Sequence, residues 1–194
     1  MIRGLLLAGG AATRFGGAKL LARACDNPAP IGARAARSLV AGAGNALAVV
    51  RPGDEALARA LREAGCEVLE SPDSLRGLGA SLAAGVKASR DASGWIVALA
   101  DMPRILPATH RAVAAALGRG ARLAAAVDAN GRRGHPVGFS ADLYADLAAL
   151  DGDEGARSVV ELNRAWLEVV RVDDPGSFFD IDTPADLHAP DRAG

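Results

Sequence analysis

Short, mostly apolar runs alternate along this chain with longer stretches whose apolar positions recur every three or four residues. The first kind predicts strands at Ile2–Ala8, Ala46–Val50, Glu67–Glu70, Trp95–Ala100, Leu123–Val127, Pro136–Phe139 and Leu167–Val172. The second predicts helices at Pro30–Ala41, Asp54–Ala64, Gly79–Ala88, Pro107–Leu117, Ser140–Leu147, Glu154–Leu162 and Pro184–Leu187. In the segment after Asp54, Leu57, Leu61 and Ala64 share one helical face while Arg59 and Arg62 lie off it. Runs such as Trp95-Ile96-Val97-Ala98-Leu99-Ala100 suit a sheet covered on both faces. The alternation predicts an α/β fold: a doubly wound, mostly parallel sheet with helices on both faces. Such sheets bind ligands beyond the carboxyl ends of their strands. That rule gathers on one rim the loop after the first strand, Asp101 and the Asp180/Asp182 segment.

Composition narrows the picture. The 194 residues suit one domain, placed at 1–190, with 191–194 as a frayed tail. Half of the residues are hydrophobic, enough for a folded core. A net charge of −1 offers no general attraction for nucleic acid or membrane. The only cysteines, Cys25 and Cys66, lack metal-ligand spacing, and reduced thiols in a cytoplasmic protein are expected. Met1–Ala12 has the look of a signal peptide, but Arg14 follows too soon, and the small residues serve better as a ligand loop.

That loop carries the main chemical signal. It follows the first strand with Gly9, Gly10, Gly16 and Gly17, and it holds Arg14 and Lys19. Glycines let backbone N–H groups approach a ligand closely, and the two cations add charge, a combination suited to a polyphosphate. Lys19 is one of only two lysines in an arginine-rich chain, a compact charge able to follow a phosphate. Asp101, leaving an apolar strand before Met102-Pro103, suits a divalent cation over phosphates, or a turn cap. Asp180 and Asp182 point the same way if extended; Asp182 equally suits the N-cap of the helix that Pro184 opens, as does Thr183. Arg76–Leu82 is a second glycine-bearing loop, where Gly79 and Ser81 could meet a flat base or simply start a helix. His135, in Gly134-His135-Pro136-Val137, suits a phosphate contact, a base or a surface turn. Gly152–Arg157, with Asp153 and Arg157, suits a capped helix start or the seat of a second anion.

Taken in order, these segments resemble the nucleotidyltransferases of molybdenum-cofactor maturation, the MobA-like NTP transferases. The shared pattern is Leu7-Ala8-Gly9-Gly10, Arg14, Gly16, Lys19, Asp101-Met102-Pro103 and Asp180-Ile181-Asp182-Thr183-Pro184. Gly79–Leu82, Gly134–Val137 and Gly152–Arg157 look most like molybdopterin cytidylyltransferase, whereas Leu7–Gly10 is more similar to the guanylyltransferase branch. The resemblance implies a Rossmann-like nucleotidyltransferase fold and transfer of CMP from CTP to the terminal phosphate of molybdopterin. It implies nucleotide contacts from Leu7, Ala8, Gly9, Gly10, Arg14, Gly16, Lys19, Gly79 and Ser81. Arg14, Lys19 and Asp101 would be catalytic, Mg²⁺ would sit on Asp101, Asp182 and Asp180, and His135, Asp153 and Arg157 would face the pterin. A molybdenum-containing oxidoreductase would receive the product. Two alternatives stand: the same chemistry with GTP, and a non-catalytic carrier of molybdenum cofactor.

Overall fold

Leu5 and Leu7 project from one face of the first strand and Leu6 from the other, and all three are buried, so both faces of this strand are covered. The computed structural model describes residues 1–10, 18–24 and 27–188. The proposed tail at 191–194 and the boundary at 190 lie outside these residues. The strands are β1 (Ile2–Leu7), β2 (Ala46–Val50), β3 (Glu67–Glu70), β4 (Gly94–Leu99), β5 (Leu123–Val127), β6 (Arg133–Ser140) and β7 (Leu167–Arg171). They form one seven-stranded sheet in the order β3-β2-β1-β4-β6-β5-β7. All pairings are parallel except those of β6 with β4 and β5. β5 and β6 are joined by a short turn in which the Asp128 carboxylate accepts the N–H groups of Asn130 and Arg132. So short a link can only reverse the chain, since a parallel partner needs a crossover of a dozen residues or more.

One face of the sheet packs against α1 (Ile31–Ala43), α2 (Glu55–Glu63) and α4 (Pro107–Gly118), through Leu39, Leu61 and Val113 among others. The opposite face packs Val49, Trp95 and Phe139 against α3 (Leu78–Ala88), α5 (Tyr144–Ala148) and α6 (Arg157–Leu162). Local signals start and stop these helices. The Asp54 side chain accepts the Leu57 N–H at the start of α2, and Gly44 closes α1 at φ +81°. The doubly wound, mostly parallel sheet expected from the alternation is the fold observed. All the predicted strands appear. The helical boundaries shift in places: α6 begins at Arg157 rather than Glu154, because Gly152 and Gly155 take positive φ and bend the chain first. The 3₁₀ turns Lys19–Leu21, Pro72–Leu75, Arg164–Trp166 and Pro175–Phe178 are too short to leave a periodic signal.

Candidate active site

The chain leaves β1 with a neighbour on each side, β2 reached through α1 and β4 reached later, which makes the end of β1 the topological switch point of the sheet. Ala8 N–H donates to the Val49 carbonyl and Ala100 N–H to the Leu7 carbonyl, so the exits of the three strands are tied side by side. Gly9 and Gly10 follow, and they differ in what surrounds them. A Cβ on Gly9 would stand 2.7 Å from Ser74 Cβ and 3.1 Å from Ser81 Oγ, so Gly9 is required by packing. A Cβ on Gly10 would meet nothing within 4 Å among the described residues. Gly10 lines a cavity of about 160 Å³ with Lys19, Arg51 and Asp54. Arg51 Nε donates to the Gly9 carbonyl at 2.6 Å and holds the loop at its exit from the sheet. Arg14 and Gly16 lie outside the described residues.

Lys19 is the centre of the site. It opens a 3₁₀ turn and is only 8% exposed. Its ammonium donates to Asp101 Oδ2 at 3.0 Å and to Asp182 Oδ1 at 2.9 Å, joining residues far apart in sequence. Burial works against the charged ammonium, but the hydrogen bonds to Asp182 and Asp101 outweigh it and hold the pKa above the usual lysine value. Asp101 is delivered by β4. Asp182 is delivered by the segment after β7, which the Ile181 N–H pins to the Asp101 carbonyl at 2.9 Å. Ile181 is buried beneath this bond, and the acids on either side of it are left at the surface side. The turn is closed by Asp186, whose carboxylate accepts the N–H groups of Asp182 and Thr183 and the Thr183 hydroxyl. Asp186 reaches back to the N–H of Thr183, as in a capping box, while the Asp182 carboxylate accepts from Lys19.

The donor set suits a divalent cation carried in with phosphates. Asp101 Oδ1 is buried and has no hydrogen-bond partner among the described residues, which is costly unless the oxygen serves a ligand. No group of three or more potential metal-ligating side chains occurs among the described residues. One or two carboxylates with substrate phosphates completing the shell is the arrangement Mg²⁺ commonly takes.

His135 reaches the same rim because β6 runs antiparallel to β4, with Val137 opposite Val97. Its Nδ1 is buried without a partner among the described residues. Burial lowers its pKa and is only partly opposed by a hydrogen bond to the Val97 backbone and the charges of Asp101 and Asp180, so the ring is neutral at pH 7. Asp180 itself is exposed beside Ile181.

The structure spends Gly79 and Ser81 on the fold. Gly79 N–H donates to the Gly152 carbonyl, and a Cβ there would lie 2.7 Å from the Asp151 carbonyl oxygen. Ser81 is buried and its hydroxyl donates to the Gly77 carbonyl at 2.9 Å. The glycine loop at 76–79 and the turn at 151–153 pack on each other, with Arg76 Nε donating to Asp151 Oδ1 at 2.9 Å. Asp153 and Arg157 stay exposed beyond this joint. Sequence reasoning missed Arg51 and Asp186; a lone arginine after a strand carries no local signature, whereas Thr183-x-x-Asp186 has the spacing of a capping box. A larger cavity of about 540 Å³, lined by Trp166, Arg122 and Glu168, lies at the amino end of β5 and β7, away from this chemistry.

No curated protein matches the sequence. Among solved structures, Rv0371c from Mycobacterium tuberculosis H37Rv superposes with a TM-score of 0.80 at 29% identity, covering 96% of this chain and 95% of that chain. A structure of Rv0371c in complex with manganese gives 0.74 at 24% identity, covering 96% of each chain. A nucleotidyl transferase from Methanothermobacter, Mth528, gives 0.80 at 22% identity over 97% of this chain and 94% of that chain. Molybdopterin-guanine dinucleotide biosynthesis protein A from Archaeoglobus fulgidus gives 0.65 at 19% identity over 96% and 95%. The likenesses under a quarter identical concern the fold alone. The model of the MobA-like NTP transferase domain matches residues 4–169, from β1 into β7. With the exits of β1 and β4 and the Asp182 segment converging at its switch point, the chain belongs to the MobA-like NTP transferase domain family, a family of nucleotidyltransferases.

Proposed function

We propose that the protein transfers CMP from CTP to the terminal phosphate of molybdopterin and releases pyrophosphate. The observation that carries this reading is the meeting of Lys19, Asp101 and Asp182 beside the open Gly10 at the switch point. An acceptor phosphate oxygen attacks the α-phosphorus, the bond to the bridging oxygen breaks, and pyrophosphate departs with that oxygen. The acceptor is already ionised near neutral pH, so the demand on the protein is alignment and relief of charge. Backbone N–H groups from Gly9 onward, with Arg14, Gly16 and Lys19, would grip the triphosphate. Leu7 and Ala8 form the floor from which that loop leaves. Asp101 and Asp182, with Asp180 beside them, would hold a magnesium ion, which supplies neutralisation of phosphate charge. The manganese complex of the mycobacterial neighbour supports a divalent cation in this family.

Gly79 and Ser81, at the start of α3 beside the Gly9 loop, would read the base together with the cavity between Gly10 and Arg51. The neutral His135 ring and the exposed Asp153 and Arg157 would face the pterin. Cytosine is supported by the similarity of Gly79–Leu82, Gly134–Val137 and Gly152–Arg157 to cytidylyltransferases. GTP is the second reading, favoured by Leu7-Ala8-Gly9-Gly10. A carrier without catalysis has no use for a lysine at the end of a triphosphate loop held between two carboxylates. Delivery of the product to a molybdenum-containing oxidoreductase completes the proposal. Pyrophosphate release should be measured with each of the four NTPs, with and without molybdopterin. Release with CTP that requires molybdopterin is expected; a higher kcat/KM for GTP would replace the cytidylyl assignment by the guanylyl one.

A further inference from the structure

We infer that Lys19 holds the metal-binding carboxylates closed in the nucleotide-free protein, so that its ammonium and a divalent cation are alternative occupants of one position. The inference rests on the reading that Asp101 and Asp182 serve the cation. Asp101 Oδ2 and Asp182 Oδ1 both point at the Lys19 ammonium, at 3.0 and 2.9 Å. A magnesium ion must sit about 2 Å from each oxygen it binds. An ion bridging these two oxygens would therefore stand almost on the ammonium, with like charges in contact. Lys19 must leave before a cation can bridge the pair.

The frame around the carboxylates does not depend on Lys19. The Ile181 N–H bond to the Asp101 carbonyl and the Asp186 cap hold the two acids in register by backbone contacts. The acids therefore stay in place when the lysine swings out, ready for the cation. The triphosphate supplies the reason to swing. Lys19 follows directly on the glycine loop, and its unbranched stem carries a point charge that can exchange a carboxylate pair for a more highly charged phosphate chain. Binding of nucleotide and binding of cation are then coupled: each favours the other because both require Lys19 to leave the carboxylates. The position between Asp101 Oδ2 and Asp182 Oδ1 is closed to a cation in the empty site and opened with the nucleotide.

The test is titration of the full chain with Mn²⁺, followed by the loss of the free-ion paramagnetic signal, with and without CTP and corrected for the Mn–CTP complex. Without CTP, Lys19→Met should bind Mn²⁺ about tenfold or more tightly than wild type, since it removes the ammonium that competes with the ion for Asp101 Oδ2 and Asp182 Oδ1. Lys19→Gln should shift the same way, which guards against a fold defect in one variant. Asp101→Asn should abolish the gain when combined with either. CTP should raise the Mn²⁺ affinity of wild type and do so much less in the Lys19 variants. Folded Lys19 variants that bind Mn²⁺ no more tightly than wild type, while Asp101→Asn still weakens Mn²⁺ binding with CTP present, would overturn the inference and leave the metal assignment standing. Mn²⁺ binding with CTP that ignores both Asp101→Asn and Asp182→Asn would overturn the assignment and the inference together.

Discussion

His110 allows a stability prediction to be worked through. It lies on α4 where that helix meets α1, is 1% exposed, and has a buried Nδ1 with no partner among the described residues. The contact is close: a Cβ on Gly42 would stand 2.5 Å from His110 Cβ. Burial depresses the imidazole pKa to about 4, against the opposing pull of Asp174. In the unfolded chain the ring titrates near pH 6.5. Below that pH the unfolded chain takes up a proton that the folded one refuses. Stability is therefore complete above about pH 6.5, falls as pH drops toward 4, and stops falling from this cause below it. The span from about 6.5 to about 4 corresponds to about 3 kcal/mol, a large share of the stability of a domain this size. Urea unfolding of wild type and His110→Leu across this range isolates the effect, because other titrating groups are common to both. The difference in unfolding free energy should change by about 3 kcal/mol between pH 7 and pH 4, in favour of the variant at low pH. Parallel curves for the two proteins would refute the reasoning.

Three predictions concern the site. Lys19→Ala should cut turnover with saturating nucleotide by a hundredfold or more, as for loss of an oxyanion-stabilising group worth about 3–4 kcal/mol, with the circular dichroism spectrum unchanged; near wild-type turnover would exclude the role. Asp101→Asn keeps shape and removes charge, so the Mg²⁺ concentration giving half-maximal activity should rise about tenfold or more; an unchanged Mg²⁺ titration would leave Asp101 a structural residue. Gly10→Ala should fold like wild type, because its Cβ would meet nothing within 4 Å among the described residues, yet should alter the CTP/GTP ratio of kcat/KM. Gly9→Ala, pressed on Ser74, should instead lower the melting temperature, by several degrees for about 1–2 kcal/mol of overpacking; equal stability of the two variants would contradict the packing around Gly9.

Hydrophobic patterning alone determined the strands, most of the helices and the doubly wound class, because a strand buried on both faces and an amphipathic helix leave local periodicities. The glycine loop, Asp101 and the Asp180–Asp182 pair were visible for a related reason: residue types suited to phosphate and metal stand at the ends of predicted strands, where such folds bind ligands. Tertiary structure alone decided how these pieces are spent. Gly79 and Ser81 suited either a base contact or a helix start in sequence; they start α3, and the turn at 151–153 closes over Gly79, a pairing across some seventy residues that no local pattern encodes. Asp182 suited either a metal or a cap; its carboxylate accepts from the distant Lys19, and Asp186 reaches back to the N–H groups of Asp182 and Thr183. The antiparallel course of β6 brings His135 to the rim, and Gly9 and Gly10, alike in sequence, divide between packing and open space. These outcomes depend on which distant atoms arrive within 3 Å of one another. That is set by how the whole sheet and its helices close-pack, and no short stretch of sequence contains it.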